Sequence, residues 1–200
     1  MGMHRLKQPV ASRWWKRSEI RLFLASFLVL GLSVSATFLL AGEPPAPEIV
    51  NKFRELSQNG NSSCSAEFMD SIANMPPMSR LKGSCCGPMA LHRYSEQIEG
   101  LKQYADISII PPDPYDIDAG LAQKLLASYD LPLTPDEQRA YDYAMQHSEE
   151  KGPCCCQCWR WHVLGGLGKL LVHEHGFTGE QLTKVWNLSN GCGGDEHEHG

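Results

Sequence analysis

The sequence predicts an all-α fold: a small helical domain with cysteine-rich loops, preceded by one N-terminal transmembrane helix. Three observations carry this. Residues 22–41 read LFLASFLVLGLSVSATFLLA, twenty residues without a charge, and that is long enough to cross a bilayer as one helix. Further on, apolar residues recur at helical spacing between strong start and stop signals. No window alternates with the period of two that a half-buried strand would show.

The first segment, residues 1–21, carries Arg5, Lys7, Arg13, Lys16, Arg17 and Arg21 against one acid, Glu19. That excess of bases is expected to hold residues 1–21 in the cytoplasm. Residues 22–41 then form a transmembrane anchor or a signal segment. Val34-Ser35-Ala36 has the small-x-small form of a cleavage site, but it falls within the apolar run, which favours an uncleaved anchor. Gly42-Glu43-Pro44-Pro45-Ala46-Pro47 stops the helix and begins an extended linker. Residues 42–200 are expected to form one extracytoplasmic helical domain.

Within it, Ile49, Val50, Phe53 and Leu56 mark a helix over 47–57, ending at Asn59-Gly60. Cys64 opens a short segment with Phe68, Met69 and Ile72, stopped by Pro76-Pro77. Cys85-Cys86-Gly87-Pro88 precedes a helix over 89–104, with Pro88 in its first turn. Residues 107–116 are a proline-rich connector. Leu121, Leu125 and Leu126 mark a helix over 118–129. Thr134-Pro135-Asp136-Glu137 is a capping box with proline and acids in the first turn, and predicts a helix to about residue 149. Lys151-Gly152-Pro153 ends it. Residues 159–175 are apolar enough for a helix despite Gly165, Gly166 and Gly168, which read as close helix packing. Thr178-Gly179-Glu180-Gln181 caps a last helix that stops at Gly191.

Charge narrows the function classes. The chain holds 18 basic and 23 acidic residues, and the first 42 residues hold six and one of these; the remainder has 12 against 22, a net charge of −10. An acidic domain repels nucleic acid and accepts metal cations. There is no Cys-x-x-Cys-His for covalent haem, no phosphate-binding glycine loop and no nucleophile elbow. A non-enzymatic role is therefore the first expectation.

Half of the eight cysteines lie in Cys154-Cys155-Cys156-Gln157-Cys158. Neighbouring cysteines do not readily bridge to each other, whereas several thiolates on one loop suit a soft cation. Alternate residues of an extended loop point to one side, so Cys154, Cys156 and Cys158 converge and Cys155 points away, free for a partner such as Cys192. His162 follows Cys158 by one helical turn and can complete a tetrahedral zinc site; two or three thiolates alone suit copper(I). Trp159 and Trp161 either shield this site or pack in the core. Cys85 and Cys86 form a second, reactive pair, with Met75, Met78 and Met89 nearby as soft thioethers and Cys64 as a candidate disulfide partner. Cys192, His197 and His199 in the tail can bind a metal more loosely.

The stretch from Ala140 through Pro153, Cys154, Cys156 and Cys158 resembles the bacterial extracytoplasmic proteins named for a Pro-Cys-Tyr-Cys-Gly-Cys motif. Cys155 here replaces the tyrosine and Gln157 the glycine, and the similarity covers about the last sixty residues. The resemblance implies a bacterial cell-envelope location and the handling of a metal, copper in the first place. The combined expectation is a single-pass, membrane-anchored protein that sequesters copper(I) or passes it to a protein partner, with zinc as the alternative ion. The competing expectations are an envelope thiol–disulfide oxidoreductase and a disulfide-stabilised structural domain.

Overall fold

The computed structural model describes residues 44–193. The expected membrane segment and the tail histidines His197 and His199 lie outside them. No helix among the described residues is long and apolar enough to cross a membrane.

Capping residues set the helix boundaries. The first helix, α1, spans Pro47–Gln58, with proline in its first turn. A short α2, Ala66–Ile72, starts where the Ser65 hydroxyl accepts from the Phe68 amide. Helix α3, Leu91–Leu101, continues into a 3-10 turn at Lys102–Tyr104. Helix α4 spans Ala119–Ala127, and α5 spans Pro135–His147 behind the Thr134–Glu137 capping box. The long α6, Trp159–His175, ends at Gly176 in the left-handed conformation, where a Cβ costs energy. The last helix, α7, Gly179–Ser189, starts with a second box between Thr178 and Gln181. Pro88 stands before α3 rather than in its first turn, because α3 begins only at Leu91.

The all-α expectation needs one correction. Residues Arg80–Lys82 (β1) and Asp116–Asp118 (β2) pair as a small antiparallel sheet, with Leu81 opposite Ile117. Leu81 and Ile117 are buried, and Arg80 reaches across to Asp116 and Asp118 at 2.7 and 2.5 Å. Asp116 also receives Lys52 from α1 at 2.7 Å. Burial raises the Asp116 carboxyl, but the hydrogen bonds from Lys52 and Arg80 outweigh it and hold it below the ordinary range.

Helix α6 is the centre of the core and is buried over most of its length. Its glycines permit this. A Cβ on Gly166 would stand 1.9 Å from the Leu125 carbonyl oxygen, so α4 and α6 touch backbone to backbone. Leu164, Leu167 and Leu171 fill the same core with Leu125, Leu182, Val185 and Trp186. The expectation of close helix packing at this glycine run agrees with these contacts. A smaller cluster of Ile49, Leu56, Tyr94 and Tyr115 joins α1 to α3 and to the residues before β2.

Candidate metal centre

Four separate stretches of chain deliver cysteines to one place. The loop after α1 lies along β1: the amides of Asn61 and Ser62 both donate to the Lys82 carbonyl at 3.0 Å, and the Asn61 side chain bonds Arg80 O and Lys82 N. This sets Cys64 beside the residues that follow β1. There Gly83 turns the chain at φ +76°, with a Cβ excluded by Gly60 Cα at 2.7 Å, and its amide donates to Tyr115 O at 2.8 Å. The turn carrying Cys85 and Cys86 is closed by the Ser84 hydroxyl donating to Gly87 O at 2.5 Å.

Cys192 is tied to the same turn. Its carbonyl accepts from the amides of Cys86 and Gly87 at 3.2 and 2.9 Å, and its own amide donates to Asn190 Oδ1. The fourth stretch follows α5. Buried Ser148 accepts from the Gly152 amide at 2.8 Å and donates to its carbonyl at 2.9 Å, which reverses the chain into residues 154–158. Cys158 is then the N-cap of α6. The positive end of a seventeen-residue helix therefore lies at Cys158. Hydrogen bonds from Cys154 and from the Arg160 amide lower this thiol, but Cys85 and burial outweigh them and push it up to about 11.

One side chain braces these stretches. Arg160, in the first turn of α6, is 1 % exposed. Its Nη2 donates to Gly83 O at 2.7 Å, its Nη1 donates to Pro114 O, and it packs against Gly191, the neighbour of Cys192. Its Nε has no hydrogen-bond partner.

All eight thiols are unpaired and close together. Cys64 Sγ is 3.2 Å from Cys86 Sγ and 3.8 Å from Cys156 Sγ; Cys86 Sγ is 3.5 Å from Cys155 Sγ, 3.6 Å from Cys156 Sγ and 3.7 Å from Cys85 Sγ. Thiolates around one tetrahedral zinc stand about 3.8 Å apart, given the usual Zn–S bond of roughly 2.3 Å. Four of these five distances, 3.5–3.8 Å, are near that value, and the Cys64–Cys86 pair is closer. Five groups of three sulfurs lie with their members within 4.8 Å of one another: Cys64, Cys86 and Cys156; Cys64, Cys85 and Cys158; Cys85, Cys86 and Cys192; Cys154, Cys155 and Cys192; and Cys154, Cys156 and Cys158. Cys64 and Cys86 are exposed, whereas Cys154, Cys158 and Cys192 are buried, so the cluster runs from the surface into the core.

The thiols share protons unequally. Hydrogen bonds from the Cys154 thiol push Cys155 down to about 6 and Cys156 down to about 4. Cys154 itself is raised, first because it donates to Cys155 and then through its other sulfur contacts and burial. Cys85 is lowered, chiefly by Cys154, with Cys158, Cys192 and the Arg160 charge adding to it. Thiolate, the form that binds metal, is thus favoured at part of the cluster.

Cys154, Cys156 and Cys158 form one of the groups, and Cys85, Cys86 and Cys192 another. Cys155 falls outside the Cys154, Cys156 and Cys158 group and lies with Cys192, the partner the sequence suggested, though Cys154 is common to both groups. The stretch is a tight turn, with the Cys158 amide donating to Cys156 O at 2.8 Å. His162 joins none of the sulfur groups: its Nδ1 contacts Cys158 O at 3.0 Å and its ring packs on Tyr129. Cys64, expected only as a disulfide partner, belongs to two of the groups. Trp159 is fully buried against Phe68, while Trp161 donates to the Tyr129 hydroxyl. Met78 is exposed, and Met89 Sδ accepts from the Ser57 hydroxyl.

No protein-family model, no curated protein and no solved structure matches this chain.

Proposed function

We propose that this chain is a copper(I)-binding protein of the bacterial cell envelope, held by its N-terminal segment, that sequesters the ion or passes it to a partner protein. The observation that carries the reading is the convergence of eight thiols from four distant stretches on one centre. A donor set made of sulfur alone suits a soft monovalent cation better than zinc, which takes imidazole and carboxylate as readily. Cys64 and Cys86 at the surface offer the position where an ion can be exchanged with another protein's thiols. The charge balance around residues 22–41 supports an anchored domain outside the cytoplasm, and the likeness to the Pro-Cys-Tyr-Cys-Gly-Cys proteins points to the same compartment.

The exposed pair Cys64 and Cys86, 3.2 Å apart, favours one competing reading, a thiol–disulfide oxidoreductase. Anaerobic metal analysis of the purified chain, combined with a thiol count, separates the two. Stoichiometric copper on reduced thiols is the expected result. Metal-free protein whose Cys64–Cys86 pair cycles between reduced and oxidised forms would replace the copper reading with the redox one. Reporter fusions at Gly200 test the location, and activity of the reporter only in the cytoplasm would sink it.

A further inference from the structure

We infer that the eight thiols hold several copper(I) ions in one sulfur-bridged cluster, and not one ion in one site. This rests on the copper reading above and extends it to the form in which the metal is held. Seven of the eight cysteines belong to two three-sulfur groups each, and Cys155 to one. A thiolate has lone pairs enough to bind two soft ions at once, and copper(I) is content with two or three sulfurs. Five groups that share their corners are therefore the pattern of a bridged cluster, with a three-coordinate position in each group. A single ion would engage at most one group. Five cysteines would be left without a metal, at least one of them buried whichever group is filled.

A second observation concerns charge. Arg160 is buried, and no carboxylate among the described residues pairs with it. A buried cation needs an anion close by. Its hydrogen bond to Gly83, two residues before Cys85, and its packing on Gly191, next to Cys192, set the guanidinium beside the sulfurs. A cluster with more thiolates than monovalent ions keeps a net negative charge, which is what this cation can balance. Each thiol that loads gives up its proton to solvent as its sulfur binds copper(I). No electron is transferred, since copper arrives and stays as copper(I).

The test is a titration of the full chain, reduced, oxygen-free and in detergent, with copper(I) supplied as its acetonitrile complex. Native mass spectrometry counts the ions per chain at each addition, and emission under ultraviolet light reports a water-shielded copper–sulfur cluster. The expected result is saturation at several ions, up to the five positions, with the singly loaded chain scarce at intermediate additions and emission rising with the multiply loaded one. Saturation at one ion overturns this inference and leaves the copper reading standing. Failure to bind any copper overturns both. Cys86→Ser, at an exposed position in two groups, is expected to lower the saturating number by at least one. Cys155→Ser, in one group, is expected to lower it less. An unchanged number for Cys86→Ser would show that sulfurs are not shared.

Discussion

Arg160 Nη2 and the Gly83 carbonyl oxygen meet at 2.7 Å in the protein interior, joining the start of α6 to the end of β1. Both lie two residues from a cysteine of the cluster, Arg160 after Cys158 and Gly83 before Cys85. The same guanidinium holds Pro114 O, so one planar fork fixes three parts of the chain. An ammonium cannot reproduce that geometry.

Arg160→Met therefore leaves two buried carbonyls without donors and is expected to lower the stability of the metal-free protein by about 3 kcal/mol. Arg160→Lys keeps the charge but loses the fork, and should recover only part of that loss. Thermal unfolding under reducing conditions measures both. A lysine variant as stable as the parent would show that charge alone matters at this position.

Gly166→Ala puts a methyl group 1.9 Å from the Leu125 carbonyl oxygen. Backbone cannot yield as a side-chain tip can, so α4 and α6 must separate. The expected loss is about 3 kcal/mol, the upper range for overpacking. Denaturant unfolding would reveal it as a lower midpoint with an unchanged slope.

His162→Ala should leave copper(I) affinity within about 2-fold of the parent, since the imidazole contacts Cys158 O and Tyr129 and belongs to none of the sulfur groups. Loss of ring packing should still lower the melting temperature. Competition against a copper(I) chelator decides it: a loss of 10-fold or more would make His162 a ligand.

Asp116→Asn tests the charged brace between α1 and the sheet. The Asp116 carboxyl titrates lower in the folded protein than in the unfolded chain. Its contribution is therefore complete above the unfolded value near 3.8 and fades as pH falls through the folded value. The variant should cost about 2 kcal/mol at pH 7, the scale of hydrogen bonds to a charged group, and the gap to the parent should close in strong acid. Urea unfolding at a series of pH values provides the curve; a gap that is constant with pH would remove the ionic account.

Most helices could be read from the sequence because their signals are local. Thr134–Glu137 and Thr178–Gln181 each close within one turn, and 159–175 is rich enough in apolar residues to read as a helix. The sheet was not legible. Three-residue strands, one with a single buried residue and the other with two adjacent ones, are too short to display a period of two. The thiol centre was legible in part. The residues were evident from their density around 154–158, but their partners are set by backbone bonds to β1 and to Cys192 that no local pattern announces. Cys64 was missed as a member of the thiol centre for this reason. His162 was misplaced because helical spacing put it near Cys158 without revealing that its ring packs on Tyr129.

Cys64 meets Cys86 across 22 positions of sequence and Cys156 across 92. An ion shared by those sulfurs closes loops of that length in the unfolded chain, and loop-closure entropy rises with the number of residues enclosed. On the proposed copper reading, occupancy then acts on lifetime as well as on cargo. A loaded chain must release its metal before it can fully open, while an empty one opens at the ordinary cost of its core, so proteases that attack open chains remove the empty form first.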